Sequence, residues 1–258
     1  MIGRVAALWR FPVKSMRGER LERAEISENG LSGDRAYALV DQESQRVVSA
    51  VNFKRYPNLF AFRACYLEPP EAGKPPPAVL IELPDGREVR SDSSDADALI
   101  SEQIGWDVRL VTSAEAEMGG QGTNGPFHDA APVSVLTNAT LRSMKELQPG
   151  SVFDARRFRM NFILECEEAG FPENAWVGRI LNIGDGIRLA VTQPDARCVM
   201  TTLAQDELPE DRAILSGLAK HNRLQVGEKG RYPCAGVYAR VLSGGAAGEG
   251  DTVGLVDG

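Results

Sequence analysis

One cysteine, Cys198, stands directly after Arg197 in residues 193–202, read as Q-P-D-A-R-C-V-M-T-T. A thiol beside a guanidinium is favoured as the thiolate, the form that attacks electrophiles or binds soft metals. On chemistry alone three fates stay open for Cys198: nucleophile, metal ligand, or inert buried thiol. A second set of residues carries positive charge at turns. Lys14-Ser15 follows an N-terminal apolar run, Arg35 follows Gly33-Asp34, and Arg159 stands two residues before Asn161. Each is either a solvated surface group or part of a convergent anion site. Period-two alternation along a strand predicts that Arg159 and Asn161 share a side.

The elements that must position these residues are mostly short strands. Segments 2–11, 21–27, 35–40, 47–51, 59–67 and 78–83 have strand character and are broken by Gly, Pro and Asp. That rhythm indicates an antiparallel barrel or sandwich. Residues 95–104 have helical spacing and stop at Gly105, and 106–111 reads as a strand. The proline-rich stretch 69–77 reads as an exposed loop. Residues 113–124 shift to Gly, Ser, Thr and acidic types, as a junction or loop does. Beyond it come a strand at 133–136, a helix capped by Thr137-Asn138, and a strand at 162–164. A short helical turn at 172–177 precedes strands at 180–183 and 187–192, the latter delivering Cys198 to a strand-end loop. Pro209 opens a helix through Leu224, and closing strands fill 236–256.

The 258-residue chain is long enough for one large core or two smaller ones, with 43% hydrophobic and 25% charged residues. A net charge of −7 offers no general attraction for nucleic acid or anionic lipid, so neither is expected as a partner. No apolar run reaches membrane length, and a cytoplasmic location is the expectation. Cys65, Cys166, Cys198 and Cys234 form no C-x-x-C pair, and His128 and His221 stand far apart. That spacing argues against zinc and iron–sulfur motifs and against a disulfide framework.

Six motifs in order carry a resemblance. They are F-P-V-K-S-M at 11–16, G-D-R at 33–35, H-D-A-A-P at 128–132, R-R-F-R-M-N at 156–161, A-R-C-V-M-T-T at 196–202 and G-E-G-D-T-V near the C-terminus. The sequence resembles the MOSC proteins, the superfamily of molybdenum cofactor sulfurase C-terminal domains, with their N-terminal β-barrel domain. The fold implied is mainly β with some α: an N-terminal β-barrel-like domain over 1–115 and a C-terminal MOSC β-barrel with peripheral helices over 116–258.

The functional relatives implied are the mitochondrial amidoxime-reducing components and their bacterial counterparts. The resemblance implies a molybdenum cofactor (Mo-molybdopterin), independent of pyridoxal phosphate, with Cys198 as the protein's ligand to the metal. It also implies cofactor-anchoring roles for Lys14, Ser15, Arg35, Arg159 and Asn161, in an interdomain site, and a proton-donating or shuttling role for Asp129. A soft thiolate suits such a metal, and Lys and Arg suit the cofactor's phosphate. The activity implied is reduction of small N-hydroxylated compounds, amidoximes and hydroxylamines. Where some bacterial relatives continue into a ferredoxin domain, this chain ends at Gly258. Electrons are therefore expected from a separate flavin or iron–sulfur protein. A non-enzymatic cofactor or sulfur carrier using Cys198 is the alternative; a cysteine hydrolase using His128 or His221 as base is a third reading.

Two positions depart from the family pattern. Met160 stands where many relatives have proline, and Leu203-Ala204-Gln205 replaces an acidic residue and a T-G pair.

Overall fold

The computed structural model describes residues 1–118, 125–228 and 230–258. The chain forms two units that interleave along the sequence: Met1–Trp9, Arg20–Leu31 and Ala130–Gly258 in one, Arg10–Glu19 and Ser32–Asp129 in the other. We call them the cysteine unit and the lysine unit.

The cysteine unit is built on a closed barrel of seven strands. Its order is Val133–Thr137, Phe162–Glu165, Gly3–Arg10, Thr252–Asp257, Arg179–Ile183, Ile187–Ala196 and Arg231–Ser243. The last strand pairs back with Val133–Thr137, which leaves no edge in the ring. Successive residues alternate between two cores, as the pleat requires. Val133, Val135, Phe162, Leu164, Val237 and Ala239 pack together in the barrel interior. Leu136 and Ile163 face outward and pack with Met144 of the helix Asn138–Leu147 and with Ile214 and Leu218 of the helix Ala213–His221. Gly236 sits at the barrel's closing seam with φ of 83°, and a Cβ there would lie 2.5 Å from the Val135 carbonyl oxygen. Only glycine fits that approach.

The lysine unit holds two small antiparallel sheets. Tyr37–Asp41 pairs with Val108–Thr112, and Arg63–Tyr66, Val79–Glu82 and Glu88–Arg90 form a meander. Ala38, Val40, Val111, Ala116 and Phe127 form a buried cluster there. The helix Ala96–Ile104 ends at Gly105 in the left-handed conformation, as its spacing predicts. Thr137 also caps its helix as expected, accepting from the Thr140 N–H at 3.1 Å.

Several expected elements take another form. In 47–51, Val47 makes only an isolated bridge to Val40, and Ala50–Asn52 is a 3-10 turn. The Ser49 hydroxyl accepts from the Val51 N–H and competes with a strand ladder. Leu59–Ala61 is likewise a 3-10 turn ahead of its strand. The junction expected over 113–124 begins as a helix, Ser113–Met118, and its remainder lies outside the described residues. Thr112 and Glu115 form a capping box: the Glu115 carboxylate accepts from the Thr112 N–H at 2.7 Å, and the Thr112 hydroxyl accepts from the Glu115 N–H at 3.3 Å. The helix expected from Pro209 starts at Ala213, because the Pro209 carbonyl is taken by the Arg157 guanidinium at 2.9 Å.

Candidate functional site

In the lysine unit, backbone pairing brings the nominated residues of 11–15 beside those of 34–37. Arg35 N–H donates to the Phe11 carbonyl at 2.8 Å, Tyr37 N–H to Pro12 at 3.0 Å, and Lys14 N–H to Tyr37 at 2.8 Å. Segment 127–129 joins them through Phe127 N–H, which donates to the Arg35 carbonyl at 2.8 Å. The Lys14 ammonium donates to the Phe127 carbonyl at 3.0 Å and pairs with the Asp129 carboxylate. Lys14, Arg35 and Asp129 thus gather in one place. The Ser15 hydroxyl is buried and accepts from the Ala50 N–H at 3.1 Å, which leaves its proton available to donate.

The residue that composes this cluster is Asp34, which the sequence reading passed over. It is 1% exposed, accepts from the Phe11 N–H at 2.8 Å, and pairs with the Arg35 guanidinium. His128 Nε2 lies 3.6 Å from its carboxylate, too far for a hydrogen bond. Burial pushes the Asp34 carboxyl up; the charge of Arg35, the neighbouring His128 imidazole and the Phe11 N–H overcome it and hold the group well below the usual carboxylate range. The available signal was a carboxylate between Gly33 and Arg35 in a tight turn. Gly33 has φ of 79°, and a Cβ there would lie 2.6 Å from the Tyr66 ring, so the turn requires glycine.

In the cysteine unit, Cys198 caps the N-terminal end of a 3-10 turn, Val199–Thr202, just beyond the strand Ile187–Ala196. Its residue is exposed, whereas Cys166 and Cys234 are buried and Cys65 is intermediate. Burial pushes the Cys234 thiol up to about 11. The Arg197 guanidinium is engaged by partners other than the neighbouring thiol. Its guanidinium donates to the Phe158 carbonyl at 2.6 Å, pairs with the buried Asp195 carboxylate and lies over the Phe158 ring.

Arg159 and Asn161 are not on a strand, contrary to the alternation argument. Ala155–Phe158 is a 3-10 turn, Arg159 is its left-handed C-cap, and the strand starts only at Phe162. The Asp154 carboxylate accepts from the Arg156 N–H at 2.9 Å and nucleates that turn in place of a strand. Asn161 is 1% exposed, and its side chain is committed to the fold. Its Oδ1 accepts from the Ser134 N–H at 3.1 Å and from the Ser134 hydroxyl at 3.0 Å, while its Nδ2 donates to the Trp9 carbonyl at 3.3 Å.

Backbone conformation sets three of these residues apart. Six non-glycine residues among those described have positive φ: Ser15, Arg35, Gln45, Asn58, Arg159 and Asp206. Asn and Asp tolerate that region, whereas Ser and Arg rarely enter it. Three nominated residues, Ser15 at 65°, Arg35 at 52° and Arg159 at 54°, hold it. Such conformations cost of order 1–3 kcal/mol each and concentrate at functional sites.

Among the described residues no helix is long and apolar enough to cross a membrane. No curated protein matches the chain. A solved structure of the YUAD protein from Bacillus subtilis aligns over 99% of this chain and 96% of its own, at 11% identity and a TM-score of 0.50, a likeness of fold alone. YiiM from Geobacillus stearothermophilus aligns over 49% of this chain at 20% identity and a TM-score of 0.35. YiiM from Escherichia coli aligns over 52% at 18% and 0.36. The chain spans only 55% and 58% of those two proteins' lengths. Two family models cover nearly the whole sequence: the MOSC N-terminal beta barrel domain at residues 2–115 and the MOSC domain at residues 123–254. The chain belongs to the MOSC family, whose domain is of a molybdenum cofactor-binding type.

Proposed function

We propose that this protein binds a molybdenum cofactor through Cys198 and acts as an oxidoreductase on N-hydroxylated compounds. Its electrons come from a separate flavin or iron–sulfur protein, and it works in the cytoplasm. The observation that carries the reading is that Cys198 is the exposed thiol of the four, held in a hydrogen-bonded turn at a strand end.

The donor set suits the group. An exposed thiol supplies one soft ligand. Lys14 and Arg35 supply charge-assisted donors for a phosphate, Ser15 supplies a hydroxyl proton, and Arg159 supplies a further cation on a left-handed turn. Asn161 suits direct contact poorly, because the lone pairs of its carbonyl oxygen are spent on Ser134. Its part is to tie the Arg159 turn to the segments of Trp9 and Ser134.

Cys198 would hold the molybdenum centre, which would supply the two-electron chemistry for reductive cleavage of an N–O bond, with two protons taken up and water released. Around it the protein's own groups bind and orient. Lys14 holds Asp129 in place, and Asp129, exposed and paired to that ammonium, passes a proton from solvent to the leaving oxygen.

The test is turnover of a hydroxylamine and an amidoxime by the purified cofactor-loaded protein with an artificial low-potential reductant. Turnover in the wild type and its loss in Cys198→Ala supports the reading. A bound cofactor that never turns over overturns it in favour of a carrier.

A further inference from the structure

Arg157 is 1% exposed and heads the largest fully buried side chains among the described residues. Burial of a guanidinium is costly unless its donors are hydrogen-bonded. Burial indeed pulls its pKa down, with Asp211 and Asp154 opposing. Its hydrogen bonds go to backbone carbonyls of two segments: Val152 at 3.0 Å, Leu203 at 3.3 Å and Pro209 at 2.9 Å.

Leu203 is the C-cap of the turn that begins at Cys198. At the other end of that turn, Arg197 reaches back to the Phe158 carbonyl at 2.6 Å and its own N–H is fixed to the Pro233 carbonyl at 2.8 Å. Both guanidinium bonds therefore run between the same two short turns, Ala155–Phe158 and Val199–Thr202. One turn ends in Arg159 and the other starts at Cys198. Within the second, Thr201 N–H and Thr201 hydroxyl both bind the Cys198 carbonyl, at 3.2 and 3.0 Å.

We propose that Arg157 and Arg197 are positioning residues that clamp the cysteine turn at its two ends and so fix the Cys198 thiol against the Arg159 turn. The arginine pair at 156–157 is then not part of an anion site. Arg156 holds the same loop from outside, pairing with Glu207 at 2.6 Å and Asp206 at 3.6 Å. A fork of several donors is what such a brace needs, since one guanidinium can hold carbonyls on different segments at fixed angles. The inference rests on the proposed role of Cys198 as metal ligand, but the clamp itself does not.

The test compares wild type, Arg157→Met and Arg197→Met by hydrogen–deuterium exchange on cofactor-free protein, followed by cofactor retention on loaded protein. The Thr201 and Leu203 amides are expected to exchange at least about tenfold faster in each variant, with the Val133–Thr137 strand unchanged. Arg157→Met leaves three carbonyls without their donor, so it is expected to lower the unfolding midpoint while remaining folded, and to retain molybdenum at least about threefold less well, with Arg157→Lys recovering part of that loss. Wild-type exchange at those two amides in both variants would overturn the clamp, as would a loosening spread through the whole barrel. Should Arg157→Met fail to fold, Arg197→Met decides. Wild-type protein that never takes up molybdenum would defeat the function reading, while the exchange result would still judge the clamp.

Discussion

The cysteine unit and the lysine unit both hold arginine at a tight turn, but they neutralise it in different ways. Around Cys198, Arg157 spends its donors on backbone carbonyls and Arg197 divides its donors between the Phe158 carbonyl and Asp195. Around Lys14, Arg35 leans on the buried carboxylate of Asp34, which also takes the Phe11 N–H. The Arg157 brace, bonded only to carbonyls, has no protonation state to lose. A carboxylate brace does, and its strength depends on pH. The two regions should therefore fail in different ways.

The largest effect is expected at the carboxylate. Asp34→Ala leaves Arg35 and the Phe11 N–H without their buried acceptor and should cost about 3 kcal/mol, measured by denaturant unfolding. Acid should do the same reversibly. The Asp34 carboxyl is depressed in the fold, so its contribution is fully present above the unfolded carboxylate range and is lost as pH falls below about 4 toward the folded value. Exchange protection around Phe11 should drop with acid before protection around Thr201 does. Simultaneous loss would remove the contrast.

Next in size is the corresponding tie in the other unit. Asn161→Ala orphans the Ser134 N–H and hydroxyl and the Trp9 carbonyl, an expected loss of about 2 kcal/mol that is independent of pH.

Glu173 sharpens the comparison from the opposite side. It is fully buried in the cysteine unit, taking the Thr137 hydroxyl at 2.7 Å and the Thr140 hydroxyl at 2.6 Å. Burial pushes its carboxyl up, against the pull of those hydroxyls. A raised acid stabilises below its unfolded value and loses that contribution as pH rises through the folded one. Glu173→Gln should raise the unfolding midpoint near pH 8 by about 2 °C and leave it unchanged near pH 4.

The smallest effect on stability is expected at Lys14. Its pair with the exposed Asp129 makes Lys14→Met worth less than about 1 kcal/mol in unfolding. Cofactor retention should nevertheless fall, which separates binding from scaffolding in that unit.

Much of this design was legible before any coordinates. The helix ending at Gly105, the cap at Thr137 and most strands follow from local pattern, because turn glycines and period-two burial act within a few residues. Lys14, Arg35 and Asp129 were nominated from motifs, and the fold does gather them. What was illegible depends on distant partners. Arg197 looks like a neighbour of Cys198 in sequence, but Phe158 and Asp195 draw its guanidinium elsewhere. Asn161 looks like a ligand-binding amide until Ser134, twenty-seven residues away, claims its oxygen. The left-handed backbone at Ser15, Arg35 and Arg159 could not be read either, since no glycine marks it. The helix Ser113–Met118 was readable from Thr112 and Glu115, whose capping-box spacing was overlooked.

The most direct test of the central claim is the molybdenum and pterin content of protein made in a host that synthesises the cofactor. Wild type and Cys65→Ala should carry both, and Cys198→Ala should lose at least about nine-tenths of the metal while keeping its fold. Equal molybdenum in wild type and Cys198→Ala would contradict the account.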